Sequence, residues 1–266
     1  MTNFTQVLRV ALLCLASGVS SAAAQPEAVD LELVLAVDAS SSIDIGEYAL
    51  QLRGIANAFR DPDIQGAITA GRHKRIAVNV VIWSDADVAK QTTGWFVLST
   101  PTEANRFSAL LEAIPRRQYG STAIGEGITF ALNQIAGNNI EGERRTIDVS
   151  GDGREYVDPR SSIVLLPEAR RRAAAARVTI NGLAVVNDVK QLFEYYDEKV
   201  RQGPDSFVLS AQDYVDFDHA VRIKLFREIV GAQEVQLQPS LPHAVQGAVL
   251  ARRQPLNNQR RMTAAR

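Results

Sequence analysis

Cysteine is all but missing. The 266-residue chain has one, Cys14, so neither a disulfide nor a thiolate metal site can form within it. Histidine is scarce as well: His73, His219 and His243 are scattered, none pairs with another at helical metal-ligand spacing, and each reads as a surface residue. Neither sign of charge dominates. Twenty-nine basic against 30 acidic side chains give a formal net charge of −1, which offers no general reason to expect nucleic acid or an anionic membrane as partner. No P-loop is present, no Gly-x-Gly-x-x-Gly follows the first strand, and no segment repeats. Beyond the first two dozen residues no apolar run is long enough to cross a bilayer as a helix.

What remains is a chain with 46% hydrophobic and 22% charged residues, the balance of a soluble globular protein. Residues 1–24 read as a secretory signal peptide. Arg9 gives a weakly basic start, residues 10–16 form a short apolar core, and Ser21-Ala22-Ala23-Ala24 supplies small residues for cleavage. Leu13 stands before Cys14 where a lipoprotein signal wants a small residue. The expected location is the periplasm or outside the cell. Residues 25–231 are expected to form one domain. Residues 232–266 carry Pro239, Pro242, Pro255 and several glutamines, and from Arg252 onward arginines without acids, a composition expected of a disordered basic tail.

Strands and helices alternate along residues 25–231. Residues 25–30 lead into a strand over 31–37 that is apolar at nearly every position, as in a strand buried on both faces. Residues 43–60 have helical spacing, with Asp44 as N-cap and Glu47 completing a capping box. Asp61-Pro62 is expected to stop that helix, and 63–74 to be a polar loop. A second buried strand covers 75–83 and ends in Ser84-Asp85-Ala86-Asp87. A short strand is expected over 93–98, a helix over 102–114 capped by Thr102, and a helix over 124–135. Residues 137–143 read as a turn, 146–149 as a strand, 167–176 as a helix starting on Pro167, and 178–186 as a strand. A helix over 188–201, a short strand over 207–209 and a long helix over 214–230 complete the series. This order predicts an α/β fold: a doubly wound, mostly parallel, Rossmann-like sheet with helices on both faces.

Ligands of such sheets bind where the strands end, at the carboxyl edge. Three segments there share a design. Asp38-x-Ser40-x-Ser42 follows the first strand, and in extended chain these three side chains point one way. Thr122 lies in the Gly-rich stretch 120–127 that opens a helix. Asp152 stands between Gly151 and Gly153 after a later strand. A polar turn would account for the first triplet alone. Together the five oxygens suit a small hard cation: two carboxylates balance its charge, and three hydroxyls fill positions without adding any.

The ordered set Asp-x-Ser-x-Ser, Thr in a Gly-rich loop, and Asp before Gly resembles the von Willebrand factor A (vWA) domain over residues 31–230. The resemblance implies a metal-ion-dependent adhesion site made of Asp38, Ser40, Ser42, Thr122 and Asp152. It implies Mg2+ as the cofactor, with Mn2+ or Ca2+ as substitutes, and a protein partner that offers a carboxylate to the metal. The family often has Thr before the last Asp, where Ser150-Gly151 stands here. Tyr195-Tyr196, Gly203-Pro204, Phe207, Asp216-Phe217, Lys224-Leu225 and Glu228-Ile229 resemble an exported bacterial subgroup whose function is not established.

Enzyme classes fit less well. A haloacid-dehalogenase-type phosphotransferase needs a second Asp where Ser40 stands. Ser150 lacks the glycine that a Gly-x-Ser-x-Gly nucleophile elbow needs, since Asp148 is there. The expectation is therefore a non-enzymatic binding module, with a metal-dependent hydrolase of phosphoesters as the alternative. Asp85 and Asp87 end the second strand near the same edge and read as solvated strand-end acids, the alternatives being a second cation site or the rim of a partner surface; Glu155 and Asp158 stand where they could tune selectivity at the rim, and Trp83 and Trp95 read as core or half-buried residues.

Overall fold

A computed structural model describes residues 25–158, 163–187 and 189–231. The expected signal peptide and basic tail lie outside these residues. Strand β1 (Glu27–Asp38) leads to helices α1 (Ile45–Arg60) and α2 (Pro62–Ala70), strand β2 (Ile76–Trp83), and the short strands β3 (Gln91–Thr92) and β4 (Phe96–Leu98). Helices α3 (Pro101–Glu112) and α4 (Ile124–Ala136), strand β5 (Ile140–Gly151), helix α5 (Leu166–Ala175) and strand β6 (Thr179–Val185) follow. Helix α6 (Leu192–Tyr195) runs into a π turn (Tyr196–Val200), and β7 (Val208–Ala211) and α7 (Phe217–Val230) end the domain. The sheet order is β3-β2-β1-β5-β6-β7, with β4 also on β2. Strands β2, β1, β5, β6 and β7 run parallel, while β3 and β4 pair antiparallel to β2. The mostly parallel α/β sheet expected from the sequence is what forms.

Strand β1 is central and buried on both faces. Leu31, Leu33, Leu35 and Val37 face a core shared with α1, α2, α3 and α7. Val34 and Ala36 face a second core shared with α4, α5 and the Tyr196 turn. The two-residue side-chain period of a strand divides its residues between these layers. The expected capping box at Asp44 and Glu47 is present at the start of α1, with both bonds at 2.8 Å.

Several boundaries differ from the sequence reading. Pro62 does not lead into a loop. Asp61 accepts a hydrogen bond from the Asp63 N–H, and Pro62 opens α2 at the position where its missing N–H costs nothing. Helix α3 is capped by Thr100 rather than Thr102, with Glu103 closing the box. Strand β1 starts at Glu27, and β5 starts at Ile140 rather than 146, because the two pair from Glu27 opposite Ile140 onward. Glu141 and Glu143, which fall in the expected turn, and Arg145 after it belong to a strand at the sheet's amino end. The expected helix over 188–201 shrinks to α6 and its π turn; residue 188 lies outside the described residues.

Helix α7 is tied to the sheet by buried charge. Lys224 is fully buried, and its Nζ lies 2.6 Å from both Asp148 Oδ1 and Glu228 Oε1. Asn181 donates to Glu228 Oε1 at 2.9 Å and accepts from the Phe207 N–H at 3.0 Å. Burial first, then the nearby charge of Asp148, pushes the Glu228 carboxyl up to about 7. The chain enters at Glu27 and leaves at Gly231 on the same amino edge, where Gly231 packs on the Arg144 guanidinium.

Candidate metal site

The loop after β1 folds back on itself. Asp38 Oδ1 accepts the Ser40 N–H at 2.7 Å, and the Ser40 carbonyl accepts the Ile43 N–H at 3.1 Å. The three side chains of Asp38-x-Ser40-x-Ser42 therefore meet through a turn, and not through the strand alternation expected from sequence, because β1 ends at Asp38. Ser40 Oγ and Ser42 Oγ lie 3.2 Å apart. Ser42 Oγ donates to Asp152 Oδ1 at 2.7 Å across 110 residues of chain. Gly153 brings Thr122 to the same place: a Cβ there would lie 3.4 Å from Thr122 Oγ1. The backbones of Thr122 and Tyr156 bond in both directions, at 3.1 and 3.0 Å, and fasten the second loop to the third. The five residues singled out in the sequence thus converge at the carboxyl edge.

Close backbone approach is what Gly151 provides. A Cβ on it would stand 2.8 Å from both Asp38 Oδ2 and the Tyr196 hydroxyl. Asp38 is fully buried, and among the described residues its Oδ2 has no hydrogen-bond partner; neither has the Tyr196 hydroxyl. Burial lifts the Asp38 carboxyl from 3.8 to about 7; the Ser40 N–H opposes this, and the charge of Asp152 adds to it. Burial, and after it Asp38 and Asp152, also raises the Tyr196 hydroxyl well above its ordinary value. A buried acceptor without a donor, beside a second carboxylate and three hydroxyls, is a donor set that fits a hard divalent cation.

Residues outside the five hold this arrangement. Arg116 Nη2 donates to the Ala39 and Ser40 carbonyls at 3.2 and 2.9 Å. Gln51 Nε2 donates to the Asp38 carbonyl at 3.1 Å. The Ser41 N–H bonds the Gly120 carbonyl, and the Gly120 N–H bonds Ser41 Oγ, which zips the first loop to the second. Asp85 accepts from the Ser121 N–H and hydroxyl at 3.0 and 2.7 Å, bonds that lower its carboxyl below the ordinary value. It braces the Gly-rich loop rather than lying as a solvated acid. Glu155 likewise accepts from the Gly125 and Leu166 N–H groups and holds two helix starts. Trp83 is buried and Trp95 half-buried, as expected. Ile45, Tyr119, Tyr156 and Val215 lie in or beside the loops of this edge and are 67–77% exposed.

This fold, with these loops at one edge, is that of a vWA domain, a class that includes protein-interaction modules. The pilus adhesin SpaC from Lactobacillus rhamnosus GG, in an open conformation, has a similar structure at a TM-score of 0.55 and 13% identity. The match covers 77% of this chain and 30% of SpaC, so the chain spans less than a third of that relative. The vWF domain of the type V pili tip protein Mfa5 from Porphyromonas gingivalis matches at a TM-score of 0.51 and 10% identity, over 77% of this chain and 97% of that one. No curated protein sequence matches. Residues 28–233 match the model of the family described as "Protein of unknown function (DUF1194)", and the chain belongs to that family.

Proposed function

We propose that the protein is an exported vWA-type binding module in which Asp38, Ser40, Ser42, Thr122 and Asp152 hold Mg2+, with Mn2+ or Ca2+ as substitutes. The observation that carries this reading is the convergence of the Ser40, Ser42 and Asp152 oxygens beside the buried, unpartnered Asp38 Oδ2. When bound, the cation supplies a Lewis-acidic position open to a carboxylate of a protein partner. The chain's own residues do the rest. Arg116 and Gln51 fix the backbone of the first loop, Asp85 fixes the second, and exposed Ile45, Tyr119, Tyr156 and Val215 offer apolar contact around the rim. The leader places the module in the periplasm or outside the cell, with residues 25–231 as the working domain. That SpaC is a pilus adhesin and Mfa5 a pili tip protein supports a binding role over an enzymatic one.

A pull-down from envelope extract, with and without chelator, tests the reading. Wild type retains a partner only with the divalent ion present, and Ser40→Ala retains none. Retention that ignores both chelator and Ser40→Ala overturns it. So does phosphoesterase turnover with Mg2+ or Mn2+ that Asp38→Ala abolishes.

A further inference from the structure

We infer that Asp30, His73 and Glu143 form a second divalent-cation site at the opposite, amino edge of the sheet. The three come from separate elements: Asp30 from β1, His73 from the loop before β2, and Glu143 from the start of β5. One donor atom from each lies within 4.8 Å of the others. His73 Nε2 and Glu143 Oε1 are 3.2 Å apart. Two ligands held at about 2.1 Å from one ion stand roughly 3.0–3.4 Å apart in octahedral or tetrahedral geometry, so this pair already has the spacing of a shared metal.

Asp30 is 8% exposed and fixed in place. Its Oδ1 accepts the His73 N–H at 2.8 Å and its Oδ2 the Arg75 N–H at 3.3 Å, which leaves further lone pairs on both oxygens. Gly71 lies so close that a Cβ there would meet Asp30 Oδ2 at 2.4 Å, and only glycine permits the loop to close over the carboxylate. Such backbone bonds to a ligating carboxylate are the outer-shell support that metal sites use.

The cluster is also reached by solvent. Asp30 and Glu143 border a cavity of about 880 Å3. The cavity gives solvent access to the two carboxylates and room for exchangeable ligands on the ion, while the His73 side chain is 25% exposed. One imidazole nitrogen with two carboxylate oxygens favours a first-row transition ion such as Zn2+ over Mg2+ or Ca2+. Arg72 pairs with Glu143 at 3.3 Å but is 81% exposed, and an exposed pair of this kind is weak enough for a divalent ion to displace.

The site is independent of the one at the carboxyl edge, and its test separates the two. Zn2+ is titrated calorimetrically into metal-free full-length protein, and Co2+ is followed by paramagnetically shifted imidazole N–H resonances. The cage at the other edge has no histidine, and the resonance that His73→Ala removes is distinguished from any at His219 or His243, so it reports only this site. Ser40→Ala keeps the shifted resonances and the Zn2+ event. His73→Ala loses both, Glu143→Gln weakens Zn2+ at least 10-fold, and Arg72→Ala tightens it several-fold. Excess Mg2+ does not compete. Should His73→Ala fold poorly, the exposed Glu143 and Arg72 positions carry the test. Unchanged Zn2+ stoichiometry and affinity in Glu143→Gln, or no shifted imidazole resonance in wild type, overturns the inference.

Discussion

Replacing Lys224 by Met should cost this domain much of its stability, and the structure sets the size of the effect. The methionine keeps the apolar stem but removes the ammonium that lies 2.6 Å from two carboxylates. The side chains of Asp148 and Glu228 are 4% and 0% exposed, so neither can turn to water. Removing one partner of a buried ion pair costs about 3–5 kcal/mol, because the charge left behind keeps its desolvation penalty. For a domain of this size, at about 2–4 °C per kcal/mol, the melting temperature falls by roughly 6–20 °C. Measured well above the raised Glu228 value of about 7, adding Glu228→Gln to Lys224→Met removes one of the two stranded charges, so the double variant should regain part of the loss. Urea denaturation and calorimetry of wild type, both single variants and the double variant measure the cycle. A Lys224→Met protein within 1 kcal/mol of wild type, or a double variant no more stable than Lys224→Met, would refute the argument that these charges are desolvated and coupled.

Glu228 also predicts a pH dependence in metal-free protein. Its folded carboxyl is raised from 4.5 to about 7, so its contribution to stability is full below 4.5 and lost as pH rises through 7. Wild type should therefore lose stability between pH 5 and pH 8. Glu228→Gln should lose less, by at most about 3 kcal/mol, with the raised Asp38 carboxyl supplying the remaining slope; equal slopes in chemical denaturation series would refute this. Mg2+ at 10 times its dissociation constant should stabilise the folded domain by about 1.4 kcal/mol, read as a rise in melting temperature. Gly151→Ala, whose Cβ would crowd Asp38 Oδ2 and the Tyr196 hydroxyl at 2.8 Å, should abolish that rise and lower the melting temperature without metal.

The parallel frame was readable because its signals are local and dense. Seven of the eight residues of β2 are apolar, and the Asp44–Glu47 box opens α1 within four residues of chain. The five oxygens of the carboxyl edge were also readable, as types and order, although the turn that gathers Asp38, Ser40 and Ser42 was not. Pro62 has two opposite meanings, stopping one helix and starting the next, and only the Asp61 cap decides between them. The start of β5 is too charged to stand out, because its partner, the front of β1, is remote in sequence. His73 carried no signal at all: the acids it meets lie 43 residues before it and 70 after it, with nothing in the local spacing to pair them. Arg116, Asp85 and Glu155 look like surface charges in sequence and become braces only when the loops are brought together.

The entry and exit of the chain at one edge of the sheet govern how the domain would carry a mechanical load. Tension applied between the Asp38 loop and Gly231 runs along the strand axes. The load then passes from β1 through β5 and β6 to β7 and α7, across ladders held in shear, with many hydrogen bonds sharing the strain at once instead of opening one by one like a zipper. Asp38 stands eight residue steps along β1 from Asp30, about 26 Å of stiff, paired backbone at strand rise. The two ends of that rod are fixed relative to each other, so a pull on one is felt at the other without slack.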